Sequence, residues 1–158
     1  MDTGNERYAG DFKLKEFTIN CIKPERTLCD KISRQTRLSA LDPEKLEREL
    51  AKHKRPYDIT LMLRESEISG FLRYASFQER LKDVIVNDKQ KQYFQGYGLP
   101  QNAVIFKEPE RILNISRIKR SYTDSLGGLV FPDSVLPSVD DVINAMHAIQ
   151  KACKGFHY

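Results

Sequence analysis

The sequence predicts a mainly helical bundle with a small β element at its N-terminal edge. Apolar residues recur at helical spacing in successive segments from Leu28 onward. Prolines and capping residues stand where several of those segments begin. One stretch near the N-terminus, Lys13 to Ile22, has strand character instead.

A chain of 158 residues with 40% apolar and 30% charged side chains fits one domain with a real core. No run approaches the roughly 18 uncharged apolar residues of a membrane span, and MDTGNERYAGDF lacks the basic-then-apolar order of a signal peptide. A cytoplasmic protein without a membrane partner is expected. Cys21, Cys29 and Cys153 are odd in number and form no CxxC pair, so reduced, mostly packed thiols are expected. The net charge is +4, but Lys13 to Arg55 holds twelve Lys and Arg against seven Asp and Glu. That basic balance suits a phosphate-bearing partner, although a solvated charged face is the commoner explanation.

Residues 1–12 carry Gly4, Gly10 and several charges without apolar period, and read as a flexible lead-in to a single helical domain over 13–158. In Lys13 to Ile22, the residues Leu14, Phe17, Thr18, Ile19, Cys21 and Ile22 suggest a strand. A single strand needs a partner for its backbone groups and its apolar face. Pro24 fits the first turn of a helix, and Glu25 suits the positive end of its dipole. This helix is expected to run to about Leu38. Leu28, Ile32 and Gln35 or Thr36 share its inner stripe, while Thr27, Lys31 and Arg34 follow an adjacent stripe that puts Lys31 at the edge of the buried face.

Asp42 and Pro43 start a second, mostly exposed helix with Leu46 and Leu50. Pro56 opens the next, in which Ile59, Met62 and Leu63 face the core and Asp58 lies in the first turn. Ser76 and Glu79 form an S-x-x-E capping box for a helix to about Gln92, with Phe77, Leu81, Val84 and Ile85 inward. Tyr93 to Phe106 reads as a loop. Ile112, Ile115, Ile118, Tyr122, Leu126 and Leu129 keep a 3.6-residue period, which predicts a long central helix. After the break at Val130 to Pro137, Ser138 or a neighbour caps a last helix with Val139, Val142, Ile143, Met146 and Ile149 facing inward.

The chain has no P-loop, no dinucleotide fingerprint, no nucleophile elbow and no HExxH. His53, His147 and His157 are scattered and suggest no metal site. Lys31 is the residue of interest, because a lysine at the margin of an apolar stripe can hold its charge over phosphates in a neighbouring cleft. It can also snorkel, covering Leu28 with its stem while the ammonium stays in water. Asp58 has a similar choice between dipole partner, ion-pair partner of a base such as Arg55, and site residue.

IKPERTLCDKIS resembles the P-E-R-T-L-x-E-K-I segment of the AbiEii/AbiGii nucleotidyltransferase toxins, with Asp30 in place of the usual glutamate. HKRPYDITLML is similar to their R-[HD]-x-Y-D-L-x-x-L segment, with Pro56 and Ile59 as departures. RIKRSYTDSLGGLVFPDSVLPSVDDVINAMHAI resembles their closing helices, so the likeness spans about residues 13 to 150 in the family's order.

The resemblance implies the C-terminal part of a polymerase-β-like nucleotidyltransferase, often the toxin of a toxin–antitoxin or phage-defence pair. Such an enzyme transfers a nucleotide from an NTP to an RNA acceptor with Mg2+. Lys31 then matches the motif lysine that contacts the triphosphate, and Asp58 the acidic residue of the last motif. Thr27, Arg34 and Arg55 become candidate contacts for phosphate or RNA. The family's N-terminal G-S element and metal-binding Asp-x-Asp pair have no counterpart in this sequence. The expectation is therefore a truncated or split protein, inactive alone, whose partners are a missing N-terminal half or an antitoxin, together with NTP and a tRNA-like acceptor. The competing expectation is a non-catalytic helical module that binds RNA or an acidic protein through a basic face of Lys23, Arg26, Lys31, Arg34, Arg37, Lys52, Lys54 and Arg55.

Overall fold

The computed structural model describes residues 20–39, 55–90, 105–106 and 136–156. Five helices occur among them: α1 (Pro24–Ser39), α2 (Arg55–Arg64), α3 (Ser66–Phe71), α4 (Ala75–Gln90) and α5 (Val139–Ala152). The protein is mainly helical. No helix among the described residues is long and apolar enough to cross a membrane. The lead-in, the Pro43 helix and the periodic segment from Ile112 to Leu129 lie outside the described residues, as do positions 13–19 of the expected strand. The remainder of that strand, Asn20 to Ile22, is irregular and exposed, with Ile22 at 67%.

Helix α1 begins at Pro24, where a missing N–H leaves no hydrogen bond unmade. It packs against α2, α3 and α4, while α2 packs in turn against α3 and α5. Leu28, Ile32, Gln35 and Thr36 are all buried, as their common stripe predicts. The buried face is wider than that stripe, however, because Cys29, Ser33 and Arg37 are buried too. These three are spaced i, i+4, i+8 and form a second row, which its two polar members disguise in the sequence.

That second row meets α4 through Asp88. Arg37 Nη2 donates to Asp88 Oδ2 at 3.1 Å, and Ser33 Oγ donates to the same oxygen at 3.2 Å. Burial lowers the pKa of Arg37, and the Asp88 carboxylate opposes that shift. The apolar core continues with Ile59 from α2, Phe77, Leu81, Val84 and Ile85 from α4, and Val142, Met146 and Ile149 from α5. Each large side chain here contributes about 1.5–3 kcal/mol through removal from water. Phe71 and Phe77 meet edge to face with ring centroids 5.5 Å apart.

Two helix starts differ from expectation. Residues 66–71, with Gly70 and Phe71 at their end, form the short helix α3, which turns Ile68 and Phe71 into the core. Helix α4 begins at Ala75, so Ser76 lies inside its first turn instead of preceding it, and the expected S-x-x-E box gives way to a chain reversal through Tyr74. Helix α5 is capped by Ser138, as expected, and Asp141 completes a capping box. Asp141 N donates to Ser138 Oγ at 3.1 Å, and Ser138 N donates to Asp141 Oδ2 at 2.9 Å. The side chain of Gln150 on α5 also reaches the carbonyl of Phe106 at 2.5 Å, which ties the buried Ile105–Phe106 turn to the bundle. Phe106 has φ 46°, a left-handed conformation that a phenylalanine adopts at a cost of about 1–2 kcal/mol.

Asp88→Ala leaves a buried guanidinium without its carboxylate and is expected to lower the unfolding free energy by about 3 kcal/mol in urea denaturation. Removing both charges with Arg37→Met and Asp88→Leu is expected to recover most of the loss. A double variant no better than the single one would place the cost elsewhere.

At α5, hydrogen bonds from the Ser138 backbone and side chain hold the Asp141 carboxyl below its ordinary 3.8. Its stabilising contribution is therefore complete above the unfolded pKa and disappears as pH falls through the lower folded value. The stability difference between the protein and Asp141→Asn is expected to stay constant down to about pH 5 and to shrink in stronger acid. A difference unchanged at acid pH would mean that the ionised form is not favoured by folding.

Candidate functional site

Lys31 stands one helical turn before Gln35, at the border of the α1 face that packs on the bundle. Asp58 lies in the first turn of α2. Packing of α1 against α2 brings these residues together across 27 positions of sequence. Lys31 Nζ donates to Asp58 Oδ2 at 2.6 Å, with side-chain exposures of 25% and 39%. The lysine therefore neither snorkels away from protein partners nor stands alone. Its ammonium has three N–H donors, of which this bond uses one.

The other candidates surround the pair unevenly. Thr27 Oγ1 donates to the Lys23 carbonyl at 3.4 Å, a local helix contact on the same stripe. Arg34 is exposed on that stripe, one turn from Lys31. Arg55 opens α2, and its side chain lies outside the described residues. The buried amide of Gln35 has no hydrogen-bond partner among the described residues. Its spacing placed it on the inner stripe but gave no sign of that isolation.

Three cations of the expected basic face have carboxylate partners. Arg26 meets Asp30 at 3.6 Å, Lys31 meets Asp58 at 2.6 Å and Arg37 meets Asp88 at 3.1 Å. Among the described residues, no three His, Cys, Asp or Glu side chains are grouped to hold a metal ion. Asp58 is occupied by Lys31, so the described residues do not fit the Mg2+ site of a nucleotidyltransferase. His147 is exposed and lies 3.4 Å from Gln150, in keeping with a surface role.

The thiols also divide by burial. Cys29 and Cys153 are buried, and removal from water pushes both up to about 12, while Cys21 is exposed. At neutral pH the two buried thiols are protonated and poor nucleophiles. No family model, curated protein or solved structure matches this chain.

Native protein at about pH 8 is expected to release one equivalent from Ellman's reagent quickly, through Cys21, and three only after denaturation. Rapid loss of that signal in Cys29→Ser, with Cys21 intact, would contradict the assignment.

Proposed function

We propose that this chain is the phosphate-contacting helical part of an AbiEii-type nucleotidyltransferase toxin acting in a toxin–antitoxin or phage-defence pair. The observation that carries the proposal is the Lys31–Asp58 pair. Two residues matched separately to two family segments share one hydrogen bond, although neither segment requires that contact by its own periodicity. Asp58 orients the Lys31 ammonium, and two N–H donors remain for the phosphates of an NTP. Arg34, one turn further along α1, supplies a second positive charge to the same side.

Nucleotidyl transfer also needs carboxylates that hold Mg2+ against the developing charge. The described residues do not supply them. In this reading they come from another polypeptide segment carrying the G-S and Asp-x-Asp elements, and the chain alone binds phosphate without transferring a nucleotide. The alternative of a free-standing RNA-binding face is less favoured, because Arg37 is buried on Asp88 and Arg26 already has a carboxylate partner.

Purified chain is expected to leave tRNA unlabelled when incubated with radioactive NTP and Mg2+. Co-expression with an AbiEii-type N-terminal half should give labelling, and Lys31→Ala should reduce it by about 100-fold or more, as loss of a charged transition-state contact does. Asp58→Asn should reduce it less, because the residual amide can still accept from Lys31. Labelling by the chain alone would overturn the claim of dependence. Undiminished labelling by the Lys31→Ala complex would overturn the role of the lysine.

A further inference from the structure

An open groove of about 710 Å³ lies between α2, α3 and α5, lined by residues beyond Thr60 on α2 rather than by the first-turn Asp58. Its apolar lining, which serves as the floor, is Leu63, Leu72 and the small side chains Ala145, Ala148 and Ala152. Three cations border it, and each comes from a different part of the chain: Arg64 ends α2, Arg73 follows α3, and Lys151 lies in the last turn of α5.

The charge around this groove is poorly offset. Among the described residues Asp141 is the one lining carboxylate, and its Oδ2 already accepts the Ser138 N–H in the α5 cap. Arg64 approaches Asp141 only to 3.8 Å, with both side chains about half exposed. Neither Arg73 nor Lys151 has an ion-pair partner among the described residues. The cations of α1 present the opposite case, since three of them end on aspartates. Helix C-termini near Arg64 and Lys151 each contribute about half a negative charge, which leaves the groove net positive.

We infer that this groove binds an organic phosphate of about nucleotide size, with its apolar or planar body on the alanine and leucine floor and its phosphates among Arg64, Arg73 and Lys151. The volume lies within the range of small-molecule sites, which combine apolar lining with a few placed polar groups. A guanidinium adds a planar fork suited to phosphate oxygens, and the lysine adds a point charge. Such a ligand is either a free nucleotide or the end of an RNA strand. The inference does not depend on the Lys31–Asp58 reading, because the groove uses none of those side chains.

The test is a fluorescence titration of the full chain with mant-ADP at low salt. Saturable binding is expected, with ADP competing and adenosine competing at least ten-fold more weakly. A short oligoribonucleotide with a terminal phosphate separates the sources, since competition ten-fold better than ADP identifies a strand end and equal or weaker competition a free nucleotide. Arg73→Ser with Lys151→Ser should weaken binding at least ten-fold, while Lys82→Ser on the exposed face of α4 should leave it unchanged. Both groove positions are exposed, and a thermal melt of each variant confirms the fold. Loss of binding in Lys31→Ala together with full affinity in the double variant would move the site to the α1–α2 pair and overturn the groove. Absence of saturable binding, equal competition by adenosine, or full affinity in the double variant would each overturn it as well.

Discussion

A guanidinium removed from water must be met by a carboxylate, and the placing of α1 follows from that requirement. Arg37 and Asp88 are about nine-tenths buried and lie 51 positions apart, so they can meet only if α1 and α4 pack in one register. Ser33 donates to the same carboxylate oxygen one turn earlier, which fixes the rotation of α1 as well as its height. With that rotation set, Leu28 and Ile32 are turned into the core and Lys31 comes to its border. The position of the candidate site is thus a consequence of a polar contact on the neighbouring row of the same helix.

Much of this architecture is legible in the sequence wherever apolar period and end signals agree. For α1, Pro24 marks the start and Leu28 and Ile32 mark the inner stripe; for α5, Ser138 supplies a cap ahead of Val142, Met146 and Ile149. The errors arise where a local signal has a stronger tertiary competitor. Ser76 has the right spacing to Glu79 for a cap, but Phe77 must reach Phe71, and the chain turns earlier so that α4 starts at Ala75. The buried row of Cys29, Ser33 and Arg37 is not legible in the sequence, because the Asp88 that justifies burying its polar members lies on another helix. Periodicity reports which residues can share a face; it does not report a partner half a chain away.

The candidate site is legible to a similar degree. Spacing puts Lys31 at an edge and Asp58 in a first turn, yet each position has an ordinary structural explanation until the helices are packed. Their 2.6 Å contact needs the α1–α2 packing, which no one-dimensional pattern contains. The groove is less legible still. Arg64, Arg73 and Lys151 are scattered across three segments with no shared motif, whereas the conspicuous run of positive charge before Arg55 includes Arg26, Lys31 and Arg37, each neutralised locally or by packing. Net charge along sequence and free charge in space therefore point to different surfaces.

Helix α1 carries two pairs of the same chemistry in different solvent, and the difference bears on what each can do. Around Arg37 and Asp88 the side chains are about 10% exposed, so separating them exposes charge to a medium of low polarizability and has a large cost. Lys31 and Asp58 retain 25% and 39% exposure, and water screens both their attraction and the cost of changing it. In the proposed function an incoming phosphate would share the Lys31 ammonium without first dismantling a buried network. The inner pair sets the helix; the outer pair is held by that helix but still open to solvent.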